Sequence, residues 1–369
     1  MKLIRFVCFS LIGMVSVALA LRVFFFTGPV LPPQPLPAPM AIVDAHVHIA
    51  GLGYRSDSFI SDDLKEGFKF EYYLNAFGTT PEELEREGDQ VVIQKVAELI
   101  EQSQYVRSAV ILAMDGVIDS NGELSKNKTQ VYIPNDFVAE QTARYGSLHF
   151  GASINPYRRD ALARLEKAKD QGAVLIKWIP NIQHIDPADE KIIPFYHKLI
   201  ALNLPLLSHT GQERSFGSAI DEYGDPQRLR LPLSLGVTVI AGHIATTGDN
   251  EQQSNYQHIL KLFDEYPNLY ADISSLSQIN KLGYLNAALV EDRLKGRLIY
   301  GSDFPLVNMV LVSPYYFLLN LTLEQMRALS NIENPLDRDV KLKQALGVRA
   351  DIFSRSESLL GVKKSEIKK

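Results

Sequence analysis

Two histidines one residue apart, His46 and His48, stand in the stretch Ala41-Ile42-Val43-Asp44-Ala45-His46-Val47-His48-Ile49. Small and β-branched residues dominate it and no breaker comes before Gly51, so it reads as a β-strand. Alternation along a strand puts Asp44, His46 and His48 on one face and Val43, Ala45 and Val47 on the other. A neutral imidazole nitrogen is a ligand for Zn²⁺ and related ions, so two neighbouring rings can fill two positions of one cation. Alone the pair is a weak signal; it gains force if other strands end in further ligands. Four residues meet that condition: Lys177, His209, His243 and Asp303, each close to a Gly or Pro at the end of an apolar run.

The elements that must bring these residues together are legible as alternating patterns. Candidate strands cover 41–49, 108–114, 150–154, 173–179, 205–210, 238–244, 269–274 and 298–303. Helical spacing of apolar residues recurs at 91–102, 160–171, 192–202, 256–266 and 284–295. Eight strands separated by helical crossovers predict an α/β fold, a (β/α)₈ TIM barrel, whose working residues sit at the C-terminal strand ends. An open doubly wound sheet is the rival, but no Gly-rich dinucleotide turn follows the first strand. The stretches 322–329 and 336–353 are expected to be helical and to pack outside the barrel.

The ordered set Asp44-Ala45-His46-Val47-His48, Lys177, His209, His243 and Ser302-Asp303-Phe304-Pro305 resembles the amidohydrolase superfamily, most closely its amidohydrolase-related branch of hydrolases and decarboxylases. The resemblance covers about 40–353. It implies metal ligation by His46, His48, His209 and Asp303, with His243 binding a second metal or steering water and substrate. Lys177 matches the position where some members carry a carboxylated lysine bridging two metals, while others use one metal. The cofactor expected is therefore a divalent ion, zinc in the first instance, as one or two ions. Asp303 and His243 are the expected catalytic groups: the carboxylate takes a proton from water and returns it to the leaving group, and the metal or His243 stabilises the developing oxyanion. That chemistry is hydrolysis of an amide, ester or lactone-like bond. A decarboxylase on the same ligands is the alternative within the fold, and a non-catalytic envelope binding protein is the alternative from another class.

Substrate contacts are sought in the loops above the ligands. The first, about 50–88, is long and rich in aromatics, as lids and binding loops are, and a small packed subdomain is the alternative reading. Arg158 and Arg214 could hold a carboxylate through bidentate bonds; Trp178 and His184, beside and after strand four, are further candidates. Asp44, lying below the histidine pair, reads as a structural hydrogen-bond acceptor. His149, His197 and His258 read as ordinary residues.

Around this domain, four segments are expected: a signal anchor or signal peptide at 1–26, a Pro-rich linker at 27–39, the barrel at 40–355 and a polar tail at 356–369. Residues 6–26 are mostly apolar and follow Lys2 and Arg5; at ~1.5 Å per residue they would span about 30 Å, matching a bilayer core. Ala18-Leu19-Ala20 resembles a cleavage site, which makes a secreted form the rival of a membrane-anchored one. Either way the barrel is expected outside the cytoplasm, periplasmic or extracellular. A net charge of −5 leaves no basic footprint for nucleic acid, so a small molecule is the expected partner, besides the membrane through the N-terminal helix. The sequence leaves homo-oligomerisation open. The single cysteine, Cys8, lies ahead of the barrel, which therefore has no thiol chemistry.

Overall fold

Aliphatic runs form eight strands: β1 (Ile42–His48), β2 (Val106–Leu112), β3 (Leu148–Ala152), β4 (Ala173–Trp178), β5 (Leu206–His209), β6 (Val239–Gly242), β7 (Leu269–Asp272) and β8 (Leu298–Ile299). The computed structural model describes residues 7, 9–17, 20, 28–37, 40–67 and 69–362. The strands are parallel and hydrogen-bonded in chain order. Seven crossover helices join them: α1 (Gln90–Gln102), α2 (Asn135–Thr142), α3 (Ala161–Asp170), α4 (Ile193–Ala201), α5 (Arg230–Leu235), α6 (Asn255–Glu265) and α7 (Tyr284–Val290). The expectation of a TIM barrel holds. Of these, α2 and α5 escaped the spacing argument: five of the eight α2 residues are buried, which leaves no clean polar face, and α5 carries Pro232 within its six residues.

The sheet closes where the β8 end meets β1. Ala45 N donates to Tyr300 O at 3.2 Å, Asp303 N to His46 O at 2.9 Å, and His48 N to Phe304 O at 2.9 Å. Inside the barrel, Val43, Ala45, Val110, Leu175, Leu207 and Ile240 form one buried cluster. Burying each of the Val, Leu and Ile side chains contributes about 1.5–3 kcal/mol. Lys177 and His209 lie two residues beyond Leu175 and Leu207, so strand alternation sends them to the same interior. In β1 the alternation expected from sequence breaks. The pairing register shifts between Asp44 and Val47, so Val43 and Ala45 fill the interior below while His46 and His48 take it over above.

After β8 come α8 (Leu323–Ser330), α9 (Pro335–Ala345) and α10 (Ala350–Leu360). The helical stretch expected at 336–353 is thus two helices, separated at Gly347, whose φ of 103° is left-handed and open to glycine at least cost. The barrel also runs past the expected boundary at 355. Ser356 Oγ donates to Tyr300 O at 3.2 Å, and Leu360 and Val362 join the interior cluster. The rest of the expected tail, 363–369, lies outside the described residues.

At the other terminus, much of the expected 6–26 span lies outside the described residues; residues 7, 9–17 and 20 are helical. Among the described residues, no helix is long and apolar enough to cross a membrane. The Pro-rich segment is not a free spacer over 28–37. Gln34 N donates to Gln344 O at 3.2 Å, Gln344 Nε2 donates back to Gln34 O at 2.6 Å, and Leu31 packs on Gly347. The 50–88 segment carries secondary structure of its own, as a small packed subdomain would. Phe59–Ile60 pairs with Val131–Tyr132, and short helices run over Asp62–Lys65, Phe70–Ala76 and Pro81–Glu87. Buried Asp89 ties down the near end of this cover by accepting the amides of Leu52 and Gly53 at 3.0 and 2.9 Å.

Candidate metal centre

His46 is the best-held side chain at the barrel mouth. Its Nδ1 lies 2.7 Å from Asp272 Oδ2, and both residues are fully buried. A carboxylate only accepts, so the bond fixes the proton on Nδ1 and leaves the Nε2 lone pair facing the cavity. Burial opposes the charge on Asp272, but His46, together with the His243 amide and Ser274, outweighs it and holds the carboxyl below the usual range. His243 N donates to the second Asp272 oxygen at 2.9 Å. Gly301 makes room for the ring: a Cβ there would stand 2.8 Å from His46 Cβ and 3.3 Å from Ser274 Cβ.

Around His46 Nε2 the other groups converge. His48 Nε2 is 3.1 Å away, and Asp303 Oδ1 is 3.5 Å from both nitrogens. These three ligand atoms lie within 4.8 Å of one another, and His46, His243 and Asp272 form a second such group. Asp303 Oδ2 accepts from Ser275 Oγ. Asp303 and His243 both have left-handed backbone, φ 63° and 59°, a conformation costing roughly 1–3 kcal/mol each and found where function requires a fixed aim.

The remaining expected residues separate into those inside and those outside the cavity. Lys177 is buried, with Nζ 3.1 Å from His46 Nε2. Burial lowers its pKa to about 8 against the pull of Asp272, Asp303 and Glu213. His209 lines the same cavity, and its ring is 5.2 Å from that of His243. Its nitrogen is not part of either close group. Burial, followed by Lys177 and Lys281, lowers His209 to about 3; burial and neighbouring positive charge also hold His48 and His243 well below the usual imidazole range. These rings are therefore neutral, the form that ligates.

The expected substrate contacts are corrected. Arg158 is 7% exposed and holds buried Asp115 through Nε and Nη2 at 2.7 and 2.6 Å, because an unpaired carboxylate there would be costly. Trp178 faces away from the mouth: Nε1 donates to Ile154 O at 2.7 Å and the ring packs on Phe195 and Tyr196 of α4. His184 ends a short helix in left-handed backbone, with Nε2 3.2 Å from Ser218 O. Arg214 is exposed and bonds Gln212 Oε1 at 3.0 Å. None of the four lines the cavity. Asp44 fulfils its structural expectation by accepting from the amides of His46 and Ser302 at 3.1 and 2.9 Å.

Three residues went unnoticed in the sequence. Asp272 ends β7, and a search for polar residues at every strand end would have found it in Tyr270-Ala271-Asp272. Glu213 lines the cavity, its Oε2 3.7 Å from His209 Nε2; burial raises its pKa. Lys281, 5% exposed in the Ile279–Lys281 turn, is drawn electrostatically to Asp303, Glu213 and Asp272. No spacing rule marks either.

The donor set fits a divalent cation. Among the described residues His209 Nε2 is buried without a hydrogen-bond partner, and one ligand atom each of His46, His48 and Asp303 lies within 4.8 Å of the others. A cation would give these closely placed ligand atoms a shared partner. His46, His48 and Asp303 are the residues placed to hold it.

The family model described as amidohydrolase matches residues 109–329. No curated protein sequence matches the chain. Among solved structures it is similar to an uncharacterised TIM-barrel protein from Bordetella bronchiseptica, with 17% identity, 83% of this chain and 99% of that one covered, and a TM-score of 0.51. A probable 2-pyrone-4,6-dicarboxylic acid hydrolase from Acinetobacter baumannii shares 15% identity over 88% of this chain and 100% of that one, TM-score 0.48. A 5-carboxyvanillate decarboxylase from Novosphingobium aromaticivorans shares 11% over 90% and 100%, TM-score 0.48. At 17% identity the first of these likenesses concerns the fold alone. With a model match across more than half its length, the chain belongs to the amidohydrolase family, whose members are metal-dependent enzymes.

Proposed function

We propose that this protein is a metal-dependent hydrolase that cleaves an amide, ester or lactone-like bond of a small molecule. The observation that carries the reading is the convergence of His46 Nε2, His48 Nε2 and Asp303 Oδ1, with Asp303 also held from behind by Ser275. When bound, a divalent cation, zinc in our reading, supplies Lewis acidity and acidifies water toward neutral pH. The side chains supply the rest. Asp303 accepts the proton of the attacking water through Oδ1 and returns it to the leaving group, while Ser275 keeps the carboxylate from rotating. Asp272 holds His46 in its ligating tautomer. His243, whose Nδ1 lies 2.7 Å from Ser274 Oγ, is held against the cavity where oxyanion charge would develop. Lys177, an amine of lowered pKa inside the ligand group, is suited to add carbon dioxide with loss of a proton, and the carbamate would offer oxygen ligands for a cation.

We further place the enzyme outside the cytoplasm, tethered by the apolar N-terminal segment that follows Lys2 and Arg5. The decisive experiment is product analysis with zinc-loaded protein on a panel of esters, lactones, amides and aromatic acids, beside His46→Ala and Asp303→Ala. Acid or amine release by the wild type, lost with bound zinc in His46→Ala, supports the assignment. Carbon dioxide release from the aromatic acids without any hydrolysis would replace it with a decarboxylase.

A further inference from the structure

The cavity above the ligand group has a volume of about 360 Å³, within the range of small-molecule sites. Most of its lining is apolar. His48, His209, His243 and Asp303 form the catalytic end. The walls are Phe70, Tyr73 and Phe77 from the cover, Met114 and Ile179 from the ends of β2 and β4, and Phe216 from the loop after β5. Among the described residues no guanidinium lines it. Of its two lysines, Lys177 belongs to the ligand group, and Lys69 is exposed at the mouth with Asp63. A buried carboxylate, Glu213, also faces the interior.

We infer that the substrate carries one polar, cleavable head for the catalytic end and an uncharged apolar body, an aryl ring or branched chain, for the walls. This rests on the hydrolase reading for the word "cleavable" and on the cavity alone for the body. A second carboxylate on the body would leave water for an apolar wall whose described cation outside the ligand group, Lys69, stands exposed at the mouth, and would approach the Glu213 carboxyl group. Burying a charge without a partner is among the costliest events at a protein site. Discrimination of about 100-fold against such a substrate follows if the charge loses only the ~3 kcal/mol typical of an unpaired polar group. The aromatic cover gives selectivity of the opposite sign, since it buries the body once the head is engaged.

The test separates body preference from chemistry. Binding of 3-phenylpropanohydroxamate and of glutaric acid monohydroxamate, which present the same head and differ in ring against carboxylate, is measured by calorimetry on the zinc-loaded protein. Turnover of methyl 3-phenylpropanoate and monomethyl glutarate is followed in parallel by acid release. We expect the ring compound to bind about 100-fold more tightly. Phe70→Ser and Tyr73→Ser, on the partly exposed cover, should each weaken it about 10-fold and leave the carboxylate compound unchanged, and Glu213→Gln should narrow the gap by strengthening the carboxylate compound. Equal binding, or preference for the carboxylate, overturns the inference, as does failure of both probes to bind. Preference for the ring with neither ester hydrolysed supports the inference and counts against the hydrolase reading.

Discussion

Asp272→Asn tests the centre at a residue that makes no contact of its own with the cavity. The substitution keeps size and shape, and the amide oxygen can still accept from the His243 and Ser274 amides, which lie 2.9 and 3.1 Å from Oδ1. The other terminus becomes an NH₂ group 2.7 Å from His46 Nδ1. Two donors cannot face each other, so the imidazole proton moves to Nε2, and the lone pair that faced His48 and Asp303 is lost. An uncharged partner also ceases to strengthen the ligand's basicity. Loss of such an orienting carboxylate typically costs 10–100-fold in metal affinity, about 1.4–2.7 kcal/mol. The assay is competition against a chromophoric chelator with metal content read by mass spectrometry, beside His46→Ala as the reference for complete loss. Circular dichroism establishes that the fold survives. Unchanged zinc affinity in Asp272→Asn, with affinity lost in His46→Ala, would refute the claim that Asp272 sets the tautomer.

Other expectations follow from the same geometry. Arg158→Met leaves Asp115 buried without its guanidinium and should destabilise the barrel by about 3–5 kcal/mol in urea unfolding; a raised KM with unaltered stability would restore Arg158 to the substrate site. Gly301→Ala drives a methyl to within 2.8 Å of His46 Cβ and should cost about 1–3 kcal/mol and weaken zinc binding together; a variant with wild-type stability and affinity would show the contact to be slack. Asp44 has its pKa raised to about 6 by burial, against the opposing hydrogen bonds of Ser302 and His46. Because the folded value lies above the unfolded one of 3.8, its contribution is complete below pH 3.8 and is lost as pH rises through 6. Asp44→Asn removes that titration, so the stability of the variant relative to wild type should improve by about 3 kcal/mol between pH 3.5 and 7. A difference independent of pH, measured as paired denaturation midpoints, would contradict the assignment.

What was legible in the sequence is what short-range chemistry encodes. The His46 and His48 spacing, the eight aliphatic runs and the longer amphipathic helices depend on neighbours within a few residues, and strand and helix periods are written at that range. The positions of Lys177, His209, His243 and Asp303 near strand ends follow from the same periods. The tertiary structure decided matters of longer range. Asp272 reaches His46 across 226 residues of chain, and Asp115 claims Arg158 across 43. The register shift in β1 comes from pairing with β2, and the 50–88 segment owes its ribbon to a partner more than 70 residues on. A charged side chain looks alike in sequence whether it meets substrate or a buried counter-ion. Only closure of the barrel, which removes water from some of these groups and brings acceptors face to face in others, assigns each its role.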